Sequence, residues 1–177
     1  MKNIIKLTLT LILLSTVIFT AQITVQAKER NPQNTANVHY RLVDDTYIIR
    51  LDKGQEIMST LKQFCIDKKI QAATIQGIGA GENLNIGFFN TKTKQYEVKH
   101  IKDCVEITAL MGNVTMKDNE PFIHLHINTS DSFHYVSGGH LLSGDIALTG
   151  EIFLRPLNTK LKRIPAPEMG INIFEID

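Results

Sequence analysis

Between Pro121 and His140 the chain alternates apolar and polar residues, then breaks at a pair of glycines. Phe122, His124 and His126 share one parity, and Ile123, Leu125 and Ile127 the other. In a β-strand, residues two apart project from the same face. The pattern therefore predicts a half-buried strand with two imidazoles side by side and three aliphatic side chains beneath them. Gly138-Gly139-His140 follows after a short segment. Glycines there permit unusual backbone angles or the close approach of another segment, and so allow a third imidazole to turn toward the first two.

The same reading extends over the rest of the chain. Val38 to Leu51 reads as strand around an Asp44-Asp45 turn. Gly54 to Lys69 is the clearest helix, with Ile57, Met58, Leu61, Phe64 and Cys65 at helical spacing and Lys62, Asp67 and Lys68 facing outward. Ile70 to Ile78 reads as strand, Gly77 to Gly81 as a tight connection, and Leu84 to Phe89 as the next strand. A glycine-rich turn holds phosphate when a helix follows it, and here a strand follows, so nucleotide binding is not expected. Tyr96 to His100 and Cys104 to Met116 are further strands. Asp118 to Pro121 is a turn joining the second of these to the histidine strand as an antiparallel hairpin. Gly144 to Leu154 is another strand. The remainder is broken by Pro156, Pro165 and Pro167 before a final alternating strand with Ile171, Ile173 and Ile176. Many strands with one helix predict an α+β fold: a curved, mostly antiparallel β-sheet with one main α-helix packed on it, in a single domain.

The first 27 residues change the picture of where this domain works. Lys2 and Lys6 precede an apolar run from Leu7 to Phe19, and Val25-Gln26-Ala27 has the small-residue pattern of a cleavage site. This predicts a signal peptide over 1–27, a flexible polar leader over 28–37 and a folded domain over 38–177. The apolar run is short for a membrane span, which needs about 20 residues. No cysteine follows it to carry a lipid. Export to the periplasm or the outside medium is expected, with no membrane attachment after cleavage. Removing 27 of the 177 residues leaves 150, enough for one domain with a sizeable core. Seventeen basic residues then face 18 acidic ones, a net charge of −1. Two cysteines enter an oxidising compartment, so a Cys65–Cys104 disulfide is one outcome and a buried free Cys65 the commoner one. Neither has a partner at CxxC spacing for redox work.

Three neutral imidazoles, His124, His126 and His140, suit a divalent ion such as zinc. Three protein ligands with one open position is the composition of a catalytic zinc site, and manganese, iron, nickel or copper accept the same donors. The bland alternative for a His-x-His pair is a solvated strand face. Glu106, Glu151 and Arg155 are candidates for handling a substrate's protons and charge, but charged residues on strands are usually solvated, and none is assigned a catalytic role. His134 falls in a turn, and His39 and His100 have no partner spacing, so all three read as surface.

The run Glu106 to Val114, then His124-Leu125-His126, then Gly138-Gly139-His140-Leu141, resembles the plants and prokaryotes conserved (PPC) domain, over about residues 38 to 177. The Gly77-Ile78-Gly79-Ala80 segment fits the same pattern. The resemblance implies a fold similar to the acetolactate decarboxylase type, a homotrimer, and a metal on the His-x-His and Gly-Gly-His set. Family activity is poorly defined. The expectation is therefore an exported trimeric domain holding a divalent metal, zinc first, with a cleft for a small-molecule ligand. A metal-dependent lyase or hydrolase acting on a small carbonyl or carboxylate compound is the enzyme alternative, and a metal-free protein-interaction module the third. Plant relatives pair the domain with a basic hook for the DNA minor groove. This chain has no such hook and no long basic run, so nucleic-acid binding ranks last.

Overall fold

The computed structural model describes residues 38–176, and the predicted signal peptide and leader lie outside them. The chain order is β1 (His39–Val43), β2 (Thr46–Asp52), α1 (Ile57–Asp67), β3 (Ala73–Asn90), β4 (Gln95–Ile101), β5 (Val105–Lys117), β6 (Glu120–Ser130), β7 (Val136–Pro156), β8 (Arg163–Ala166) and β9 (Ile171–Phe174). Seven strands form one sheet in the order β1-β2-β7-β6-β5-β3-β4, and β7 also pairs with β3. Every pairing between these strands is antiparallel. The expected curved sheet with a single helix is what forms, and its curvature goes as far as closing β3, β5, β6 and β7 into a ring.

Closure depends on two long strands. The 21-residue β7 pairs with β6 over Val136–His140 and with β2 over Thr149–Leu154, and it lies along β3 for most of its length. The expected break at Gly77–Gly81 does not occur, because β3 runs straight through it. The glycines serve close packing instead. A Cβ at Gly77 would meet the Glu151 carbonyl oxygen at 2.8 Å, and the register with β5 shifts between Gly77 and Gly79. This irregularity lets one strand bend between two neighbours. The strand expected at Gly144 likewise begins earlier, so Gly138, Gly139 and His140 lie within β7. Asp118 and Asn119 make the β5–β6 turn with φ of 52° and 65°, values that suit a two-residue hairpin turn. Pro121 belongs to β6.

The helix forms where its spacing predicts, capped by Glu56, whose Oε2 accepts the Ser59 backbone N–H at 2.6 Å. Glu56 Oε1 accepts the Gly144 N–H at 3.0 Å, which ties the helix start to β7. Ile57, Leu61, Phe64 and Cys65 are buried against Leu51, Leu125, Ile127, Ile146 and Leu154 of the sheet. Cys65 and Cys104 are both free, the first buried and the second exposed. Burial pushes the Cys65 thiol up to about 12, so it is an inert core group. The proline-broken tail is a second sheet, the β8–β9 hairpin, with Pro165 inside β8 opposite Asn172. Ile176 lies beyond it and is exposed. The hairpin is moored to the body where Met116 N–H donates to the Leu161 carbonyl at 2.7 Å.

Candidate metal centre

β6 supplies two histidines and β7 the third. Ile123, Leu125 and Ile127 point into the core at 7, 0 and 1 % exposure, so His124 and His126 must project from the other face of the same strand. His140 is the direct cross-strand partner of His126. The ring centroids are 5.3 Å apart for His124–His126, 4.9 Å for His124–His140 and 5.5 Å for His126–His140. One donor nitrogen from each ring lies within 4.8 Å of the other two. All three come from one chain.

The two glycines before His140 make this meeting sterically accessible. A Cβ at Gly138 would strike the Asn128 side-chain oxygen and come within 2.7 Å of the Ile127 carbonyl oxygen. One at Gly139 would come within 2.7 Å of Ile86 Cγ2 and 2.8 Å of the Gly87 carbonyl oxygen. Both uses foreseen for these glycines are realised: close approach at each, and at Gly139 a φ of 159° that side chains rarely adopt. Gly112 plays the same part on the other side of β6, where a Cβ would run into the His124 carbonyl.

The surroundings favour neutral imidazoles. His124 is half-buried, and its pKa is lowered to about 4, first by desolvation, then by the Arg163 guanidinium and the other two rings. His140 is lowered as well, again chiefly by desolvation. Tyr96 of β4 stacks on His140 at 5.1 Å. His140 Nδ1 is buried and has no hydrogen-bond partner. An orphaned buried nitrogen beside two further imidazoles is the donor set a borderline-soft divalent ion needs, and the residues fit such an ion. Among the described residues no carboxylate joins the cluster.

The other candidates lie elsewhere. Glu151 and Arg155 occupy the far half of β7; Glu151 is opposite Arg50 of β2, and Arg155 Nη2 pairs with Asp45 at 2.7 Å. Glu106 is exposed opposite Ser130 at the other end of β6. His39 faces Asp52 at 3.3 Å, His100 contacts Asn85 Oδ1 at 3.0 Å, and His134 sits exposed in the β6–β7 turn. Sequence reasoning missed Arg163 and Tyr96. Arg163 comes from the hairpin beyond the main sheet, and its Nη2 donates to His124 Nδ1 at 2.9 Å. No local pattern announces that contact. It could be found only once the tail was known to fold back.

A strongly curved antiparallel sheet, one helix and a three-histidine cluster on one chain define a small β-rich domain with a candidate metal centre. The family model for the Plants and Prokaryotes Conserved (PCC) domain matches residues 39–158, and the chain belongs to that family. Comparison with curated proteins finds no match. Among solved structures, a Bacteroides thetaiotaomicron protein whose description proposes DNA binding is 33% identical, with a TM-score of 0.76 over 78% of this chain and 96% of its own. A plant- and prokaryote-conserved protein of Pyrococcus horikoshii is 34% identical, with a TM-score of 0.70 over 80% and 96%. A protein of Archaeoglobus fulgidus described as metal-containing is 30% identical, with a TM-score of 0.71 over 79% and 99%.

Proposed function

We propose that this is an exported, trimeric domain that holds one divalent metal ion, zinc first, on His124, His126 and His140, and presents it to a small-molecule ligand. The observation that carries the reading is the convergence of three imidazoles, one of which, His140, has a buried Nδ1 with no hydrogen-bond partner. The metal-containing description of the Archaeoglobus protein supports it. When bound, such an ion polarises a ligand oxygen or lowers the pKa of a bound water. Burial favours the neutral form of His124 and His140, and two adjacent strands hold the three rings together. Export rests on the charge and apolar pattern of residues 1–27. The trimer rests on the family resemblance and on one apolar surface: Ile78, Met111, Leu148 and Phe153 are 56, 61, 64 and 43 % exposed on neighbouring strands β3, β5 and β7. A patch of that kind is what a copy of the chain would cover. The DNA binding proposed for the Bacteroides relative does not suit the near-neutral charge of this chain, 19 basic against 18 acidic residues.

Elemental analysis of the mature chain, purified without a histidine tag, tests the metal. About one equivalent of a single metal in the parent, and little in a His124→Ala/His140→Ala double variant, is expected. A folded parent that contains none and takes up neither zinc nor manganese would end the reading.

A further inference from the structure

The β8–β9 hairpin lies beyond the residues matched by the family model and places one cation at the histidine cluster. Arg163 is half-buried and held from every side. Its Nε donates to Thr115 Oγ1 at 3.0 Å, Nη1 to the Asn172 carbonyl at 2.9 Å, and Nη2 to Asn113 Oδ1 at 3.2 Å and to His124 Nδ1 at 2.9 Å. Phe122 and Phe174 hold the guanidinium plane, their ring centroids 5.0 and 4.8 Å from Cζ. Every acceptor is neutral, and among the described residues no acidic side chain pairs with this arginine. Arg50 and Arg155, by contrast, are paired with aspartates. A partly desolvated cation without a counter-charge is costly to hold unless something anionic comes to it.

The hydrogen bond to His124 sharpens the point. A neutral imidazole that accepts at Nδ1 carries its proton on Nε2. If His124 serves a metal through Nδ1, that nitrogen is no longer free to accept from Arg163. If it serves through Nε2, Nδ1 becomes an N–H and faces the guanidinium donor for donor. Either way, loading the site strips one Nη2 hydrogen of its acceptor.

We propose that Arg163 is the anion-holding arm of this site, and that the ligand is a small carboxylate with a neighbouring oxygen, a 2-hydroxy or 2-oxo acid, whose carboxylate docks on the guanidinium while its second oxygen faces the histidines. The short gap between Nη2 and His124 requires the two functions to be adjacent on the ligand. Planar guanidinium and planar carboxylate match in shape, which a lysine would not reproduce. The metal part of this picture rests on the proposed function, whereas the anion part rests on Arg163 alone.

The test is calorimetric titration of the whole mature protein, zinc-loaded and zinc-free, with lactate and with lactamide, which keeps the hydroxyl and lacks the charge. Lactate is expected to bind the parent and lactamide to bind about tenfold or more weakly, with Arg163→Gln removing that preference and Arg163→Lys restoring part of it. Asn113→Asp keeps the guanidinium and its packing but gives it a carboxylate partner, so it too should weaken lactate while the hairpin stays folded. Zinc content, measured beside each titration, should stay at the parent's level in both arginine variants. Lactate binding equally well to the parent, Arg163→Gln and Asn113→Asp would overturn the proposal and leave the metal reading intact. A parent that fails to bind lactate, or cannot tell it from lactamide, would overturn it as well. A parent that takes up no zinc, yet binds lactate through Arg163, would sink the metal reading and keep the anion arm.

Discussion

His124 is held neutral by its surroundings, and that has a sign in pH. Its folded-state pKa of about 4 lies below the ordinary 6.5, with burial as the first cause. Below pH 6.5 the unfolded chain takes up a proton that the folded site resists. The stability linked to this group is therefore complete above that pH and is lost as pH falls toward 4. His140 is shifted the same way. Urea midpoints of the metal-free protein should fall between about pH 7 and about pH 4.5, and His124→Gln should flatten part of that fall. An unchanged slope in the variant would mean that His124 does not carry the effect. The three histidines were legible because alternation over six residues fixes a strand face and glycines mark a close approach. Arg163 was not. Its role depends on a tail folding back against β5, beside the strand that bears His124, and nothing in its own neighbourhood signals that.

Strands β5, β6 and β7 act as one positioning unit. Gly112, on β5 opposite Leu125, has no room for a methyl group, since a Cβ would also lie 2.9 Å from the Leu125 Cα. Gly112→Ala must push β6 away from β5 and carry His124 with it. A loss of about 1–3 kcal/mol is expected in denaturant unfolding. A larger proportional loss of zinc affinity than of stability would show that strand spacing sets the donor geometry. Full zinc affinity in a variant that unfolds early would show that the site tolerates the shift. At this scale the helix and most strands were readable from periodicity, and the errors share a cause. Gly77 to Gly81 looked like a turn because glycine serves both loops and crowded strands, and only β7 pressing on β3 from the side decides between them. The same ambiguity hid the start of β7 at Val136.

The closed arrangement of β3, β5, β6 and β7 makes the core continuous with the floor of the site. Leu125 is fully buried between His124 and His126 in sequence, and on the opposite face of the strand from both. Leu125→Ala should cost about 2–5 kcal/mol, read as a lower urea midpoint, and should still bind zinc at temperatures where it remains folded. Stability unchanged within error would mean that this strand is not packed as described. The apolar surface around Met111 and Phe153 is where the proposed trimer would pack. Sedimentation equilibrium should give three copies for the parent and one for a Met111→Glu/Phe153→Glu variant, whereas a monomeric parent would remove the trimer. Sheet closure was not legible, because pairing between β3 and β7 joins residues too far apart in sequence for any periodicity to report.

Cobalt(II) titration of the metal-free parent, followed by visible absorption, tests the central claim most directly, since d–d bands report both the number of donors and their geometry. The account predicts saturation at about one equivalent with the intense bands of a four-coordinate ion, and their loss in His126→Ala. A parent spectrum no different from cobalt in buffer would contradict it.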